Sequence, residues 1–202
     1  MKKRVLFILA IAALFSGACS DDTIEEGQFL ALTQQEKNDL LFFREEEKLA
    51  RDVYLFSFDI YKDKIFSSIA SSEQQHMDQV LVLLNNYGLT DPASSERGVF
   101  ENQVLQELYN ELTAKSALSL LHALSVGAVI EDLDINDISL FEKKTEKTDI
   151  LEVYDLLKCG SENHLRSYTD RLINLGEDYV PTYISLEEFT SIISSDRERC
   201  GQ

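Results

Sequence analysis

Residues 71–80 read SSEQQHMDQV, which sets Glu73 and His76 three apart. On a helix of about 3.6 residues per turn such residues are neighbours on one face. A carboxylate and an imidazole aimed together at solvent are ordinary surface chemistry, but aimed into an apolar core they need partners or a cation. At about 100° per residue, Phe66, Ile69, Val80, Leu83, Leu84 and Tyr87 fall on the side of His76, so the pair lies on the apolar stripe. Three other segments repeat the pattern. His164 shares a stripe with Ile150, Val153, Leu157, Tyr168, Leu172 and Leu175. Glu131 shares one with Leu120, Leu124, Ala128, Ile135 and Ile138, with Asp134 a turn later and Gly127 leaving room a turn earlier. In REEEKLARDVY, Glu47 lines up with Phe43, Ala50 and Tyr54, while Glu46 lies nearer the centre of the Phe42, Leu49 and Val53 stripe; one or both must be buried. His122, about 180° around its helix from Glu131, belongs to packing or surface instead.

Each lone buried charge would cost on the order of several kcal/mol. Four segments that each bury one ask for a shared cause. Glu47, Glu73, Glu131 and Asp134 carry four negative charges, which two divalent cations neutralise, and His76 and His164 offer one nitrogen to each ion. Carboxylates bridge paired metals, and a mixed oxygen and nitrogen set suits iron or manganese. Tyr54 is placed to hydrogen-bond a ligating carboxylate, to donate one electron, or to pack in the core with a satisfied hydroxyl; Asn163 and Arg166 are placed to hold the ligands by hydrogen bonds, with a surface ion pair the equal alternative for Arg166.

The elements that must position these groups are helices. Only two prolines occur, Pro92 and Pro181, and no β-type alternation is sustained, so the chain reads as all-α. A first long helix opens with a capping box, Thr33 and Glu36, and runs to about Tyr61; a second runs from about Ile65 to Tyr87, closed by Gly88. The loop GLTDPASSERGVF and a short helix around Glu101 to Leu112 lead to a third long helix, from near Ser116 to about Lys143. After KTEKT a fourth spans about Asp149 to Leu175, and a last short helix starts at Ser185 with Glu188. In an antiparallel hairpin, residues equidistant from the turn face each other. Glu47 and Glu73 are equidistant from residue 60, and Glu131 and His164 from a point between 147 and 148, both close to predicted breaks. Two hairpins joined by a long crossover predict an antiparallel four-helix bundle of the ferritin-like kind, with short extra helices.

EEKLARDVY carries the Glu-x-x-Ala-x-x-x-Tyr spacing, at Glu47, Ala50 and Tyr54, of the first metal helix in ferritins, bacterioferritins and rubrerythrins, and SEQQH supplies Glu-x-x-His on the second. More closely, EEEKLARDVY, SEQQHM, YGLTDP, ALSVGAVIEDLDI, GSENHLRSY and YVPTYIS resemble an uncharacterised ferritin-like family of bacteria and archaea, catalogued as a domain of unknown function, over roughly residues 33 to 193. The resemblance implies Glu47 rather than Glu46 as ligand. The expected set is then Glu47, Glu73, His76, Glu131, Asp134 and His164 around two divalent ions, iron first and manganese second. One departure stands out: Ser161 occupies the position three before His164 where a glutamate belongs, and Glu162 points the opposite way. Either that ion has a more open coordination or Asp134 supplies the carboxylate, as a Glu-x-x-Glu helix does in rubrerythrin-like proteins; the second is the expectation here. The implied function is oxidation chemistry with oxygen or peroxide. The competing expectation is a non-catalytic cell-surface bundle that holds metal structurally or docks a partner.

The chain begins MKKRVLFILAIAALFSGACSDD: three cations, an apolar run from Val5 to Phe15 too short to cross a bilayer, small residues, then Cys19. That layout resembles a lipoprotein leader, with residues 1–18 removed, Cys19 lipidated, 19–32 an acidic tether and 33–202 the helical domain. It predicts an exported protein anchored to the bacterial outer membrane, periplasmic or surface-exposed. A lipid on every subunit argues against closing a mineral-storage shell, whereas a dimer is compatible. Loss of Lys2, Lys3 and Arg4 takes the formal net charge from −17 to −20, a field that repels nucleic acid and attracts cations. The remaining cysteines, Cys159 and Cys200, could bridge in an oxidising compartment but make neither a scaffold nor a zinc pattern.

Overall fold

Helix α1 (Gln34–Tyr61) starts where expected, because Thr33 and Glu36 each hold the other's backbone N–H: the Thr33 hydroxyl accepts from Glu36 at 3.1 Å and the Glu36 carboxylate accepts from Thr33 at 2.7 Å. The computed structural model describes residues 31–201; the leader, Cys19 and the tether up to residue 30 lie outside them. Lys62 ends α1 in the left-handed region at φ 54°, its N–H bonded to the Phe58 carbonyl, and Asp63 at once caps α2 (Lys64–Asn86). This turn leaves α1 and α2 no freedom to separate.

The short helix α3 (Gln103–Ser116) and the long α4 (Leu120–Phe141) are divided differently from the sequence expectation. Ser116 closes α3 rather than opening α4, because Ser119 is the residue whose side chain accepts the His122 N–H and caps the long helix. A single 3-10 turn over 142–144 leads to α5 (Thr148–Ile173), and α6 (Leu186–Ser194) follows a Ser185 cap. Among the described residues there are six α-helices and no strand, so the all-α expectation is met.

The four long helices meet in a ring: α1 lies against α2, α2 against α5, α5 against α4 and α4 against α1. Helix α3 spans α1 and α4, and α6 lies on α5. Two apolar clusters fill the interior. One gathers Tyr54, Phe66, Leu124 and Tyr168; the other gathers Phe43, Leu84, Ile138 and Tyr154. Each such side chain contributes about 1.5–3 kcal/mol by leaving water. Helices α1 and α5 run from the second cluster to the first, and α2 runs from the first to the second. On all three, the residues between the clusters are polar: Glu47 on α1, Glu73 and His76 on α2, Ser161 and His164 on α5. A polar layer therefore crosses the middle of the core.

Two connections are tied down by buried charges. Lys48 donates to Asp52 and to the Glu96 carbonyl, and Glu45 accepts the Glu101 and Asn102 N–H groups, so the outer face of α1 holds the long crossover. Asp132 of α4 accepts from the backbone of Thr182, Tyr183 and Ile184 and from the Tyr179 hydroxyl. A disulfide between Cys159 and Cys200, with Cα atoms 5.6 Å apart, fastens the C-terminal segment to α5.

Candidate metal centre

In the polar layer Glu73 stands between two imidazoles. Its Oε2 lies 2.8 Å from His76 Nδ1 and its Oε1 lies 2.8 Å from His164 Nδ1. Glu47 Oε2 completes one side, 3.2 Å from His76 Nδ1, and Glu131 Oε2 the other, 3.3 Å from His164 Nδ1. The result is two triads, Glu47, Glu73, His76 and Glu73, Glu131, His164, each able to present ligand atoms within 4.8 Å of one another. The imidazoles lie nearly parallel at 5.6 Å. Helix spacing accounts for this: positions 73 and 76 share a face of α2, and the tight turn at residues 62 and 63 puts position 47 opposite them.

Local backbone shape makes the space. Gly160 of α5 faces His76, and a Cβ there would lie 2.4 Å from its Nε2, so only glycine admits this ring position. A glycine inside a helix costs about 1 kcal/mol relative to alanine, which is the sequence signal that could have marked it. Gly127 does the same for the Tyr168 ring. Tyr54 donates to Glu131 Oε1 at 2.5 Å, as expected, and fixes which oxygen of Glu131 faces His164. Ser72, adjacent to Glu73 but without a spacing signal, has its hydroxyl 3.0 Å from His164 Nε2.

The electrostatics are those of acids gathered with too few donors. Burial pushes Glu47 up to about 7, against the lowering pull of His76 and with a smaller push from Glu73. Burial and Glu73 bring Glu131 to about 7. For Glu73 burial works against ionisation, yet His164 and His76 outweigh it and hold the carboxyl far below its ordinary value. Burial likewise opposes charge on His164, but Glu73 and Glu131 raise it to about 10. The surrounding carboxylates thus favour positive charge on both imidazoles, the same electrostatic demand that a cation between them would meet. Nevertheless Glu47 Oε1, both Glu73 oxygens, Glu131 Oε2 and His164 Nδ1 have no hydrogen bond of proper geometry among the described residues. Groups that sit within 3.3 Å of each other without aligning as donor and acceptor are converging on points between them. The donor set, carboxylate oxygen plus one nitrogen per triad, fits two first-row divalent metals.

Of the six expected ligands, five come together. Asp134 is buried with both oxygens unpartnered, but it stands outside both triads, on the side of Glu46. Between the neighbours Glu46 and Glu47, it is Glu47 that meets His76, while Glu46 turns toward Asp137. Ser161 is fully buried and its hydroxyl donates back to the Leu157 carbonyl at 3.2 Å, so it offers nothing across the core. Glu162 pairs with Arg166 away from the centre. Asn163 and Arg166 do not hold the ligands: Arg166 donates to the Ile192 carbonyl and Ser195, and Asn163 to the Glu198 carbonyl, because the C-terminal segment covers that face of α5. His122 is exposed and bonded to Ser119, as expected. A cleft of about 250 Å³ reaches both imidazole edges between Ser72, Gln75, Gln79, Gly160 and Asn163.

The described residues thus make an all-helical protein with two Glu/His groups close enough to hold a metal. The profile of the uncharacterized protein domain DUF2202 matches residues 36–196, and the chain belongs to that family. The uncharacterized protein MJ0754 of Methanocaldococcus jannaschii is 48% identical over 169 residues, which is 83% of this chain and 91% of the relative. The crystal structure of the hypothetical protein MJ0754 from Methanococcus jannaschii is similar at a TM-score of 0.83 and 47% identity, covering 85% of this chain and 98% of that one.

Proposed function

We propose that this chain is a ferritin-like dinuclear metal protein that binds two divalent ions, iron or manganese, and uses them on a small oxidant, oxygen or peroxide. The observation that carries the reading is Glu73, one carboxylate shared by two Glu/His triads in a water-poor core. Glu47 with His76 would hold one ion, Glu131 with His164 the other, and Glu73 would bridge them. Such a pair, when bound, supplies two one-electron oxidations at adjacent positions. The ring of four long helices, with its hairpin, crossover and hairpin order, supports the ferritin-like assignment.

The chain's own residues set the conditions. Glu47 and Glu131 each offer Oε2 to the imidazole side; the other oxygen of Glu131 is held by Tyr54, while that of Glu47 has no partner among the described residues. The two ions would therefore be held with unequal rigidity. Ser161 offers no carboxylate across the core, so each triad has two carboxylates and one imidazole, and the cleft beside both imidazoles, lined without a carboxylate, would admit a small uncharged molecule. The lipoprotein-type leader and Cys19 belong to the same proposal: they would anchor the domain at the outer membrane as an exported protein, without a nucleic-acid partner.

Anaerobic ferrous loading followed by oxygen or peroxide tests the reaction. Charge-transfer absorption in the near ultraviolet should grow in wild type and vanish in His76→Ala and His164→Ala. Two bound ions that stay ferrous under both oxidants would instead favour a structural site.

A further inference from the structure

Beyond the two triads, a second group of acids remains without a role. Glu46 is 1% exposed and Asp134 is 1% exposed, and none of their four oxygens has a hydrogen-bond partner among the described residues. Asp137, Asp134 and Glu131 are three apart on one face of α4, and Glu46 of α1 lies near both Asp137 and Asp134. The half-buried Asp137 opens to a cleft of about 380 Å³ that Asp39, Phe42 and Phe141 also line. Carboxylates thus follow one another from solvent to the centre: Asp39 and Asp137 at the mouth, then Glu46, then Asp134, then Glu47. The cation at this mouth is Lys144, 3.6 Å from Asp39. The opening on the opposite side, at the imidazoles, is lined by Ser72, Gln75, Gln79 and Asn163 and has no carboxylate.

We propose that Asp137, Glu46 and Asp134 form a loading route along which divalent cations pass from the Asp39 cleft to the dinuclear centre, a role that rests on the centre binding metal as proposed above. A divalent ion sheds its water only where oxygens replace it, and a file of unpartnered carboxylates does so stepwise. Neither Glu46 nor Asp137 belongs to a triad, so each can be altered without removing an expected ligand. Asp134, outside both triads, is the step of the route beside the centre.

The route is tested with Co²⁺, which reports binding by visible absorption and does not depend on oxidation. Metal-free full-length protein is mixed with Co²⁺ in a stopped-flow instrument, and the final stoichiometry is measured after equilibrium. Glu46→Gln and Asp137→Asn should each slow loading at least tenfold while leaving two ions bound at equilibrium, and Gln79→Ala, at the other opening, should load at the wild-type rate. Asp137 is half-exposed, so its variant keeps the test valid where a buried change perturbs folding, and thermal melts of each metal-free variant verify the fold. Wild-type rates in both acid variants overturn the route alone. Failure of the wild type to bind Co²⁺ overturns the metal reading and the route with it.

Discussion

Four consecutive residues of α1, Glu45, Glu46, Glu47 and Lys48, are all buried, yet they serve two regions built on opposite principles. On the outer face, Glu45 accepts two backbone N–H groups at 2.7 and 3.0 Å, and Lys48 sits 2.5 Å from Asp52, 2.9 Å from the Glu96 carbonyl and 4.4 Å from the Phe100 ring centre. Asp52 takes further donors from Arg51 and Gly98. Every charge there has a partner. On the inner face, Glu46 and Glu47 join Glu73, Glu131 and Asp134, acids whose oxygens outnumber the donors supplied by His76, His164 and Tyr54. The first region stabilises the crossover. The second is costly without an added cation, and that cost is what the proposed pair of ions would relieve.

The comparison fails or sharpens under substitution. The largest effect is expected for Glu73→Ala, which removes a ligand from both triads and should take bound metal from two ions per chain to none, read by elemental analysis. Lys48→Met should destabilise the protein by about 3 kcal/mol in urea unfolding, because the Glu96 carbonyl and Asp52 both lose the ammonium donor and Asp52 keeps only Arg51 and the Gly98 N–H. Glu46→Gln, one residue-pair earlier on the same helix, should have the opposite sign: burial and the repulsion of Asp137 and Glu47 push its carboxyl well up, so the metal-free variant should melt no lower than wild type. A loss comparable to that of Lys48→Met would erase the distinction between the regions. Cys200→Ser should cost about 2–4 kcal/mol by freeing the C-terminal segment.

The smallest effect is a pH dependence at the crossover. Asp91 receives the Arg44 guanidinium at 2.8 and 3.0 Å; burial opposes ionisation, but Arg44 and the Ala93 N–H outweigh it and hold the carboxyl below its ordinary value. A carboxyl lowered in the folded state contributes stability that is complete above its unfolded value, about 3.9, and is lost as pH falls through the folded one. Asp91→Asn should therefore lower stability by about 1 kcal/mol at neutral pH and show a shallower acid limb below about pH 4 in thermal melts.

The sequence carried the inner face well because a core-facing residue must obey helical period. Glu73, His76, Glu131 and His164 were placed by angle, and the hairpin midpoints put them at one level. Glu47 over Glu46 was a different matter, since the wheel leaned the other way and only the spacing of related metal helices favoured Glu47. The outer face was not legible: Glu45, Lys48 and Asp52 are buried by the crossover loop, and no period within α1 announces what a distant segment will cover. Asn163 and the ligand-holding alternative for Arg166 fail for the same reason, since the C-terminal segment claims both side chains, and Arg166 makes the ion pairs that were its other alternative. Asp134 lies one turn beyond Glu131 and shares its stripe but joins neither triad, a distinction finer than a helical wheel resolves.

The central claim is that Glu73 joins two metal positions, and stoichiometry tests it most directly. Mature protein saturated with ferrous or manganous ion and freed of excess should contain two ions per chain by elemental mass spectrometry, with His76→Ala and His164→Ala each retaining at most one. Fewer than one ion per wild-type chain, or unchanged loading in both histidine variants, would contradict it.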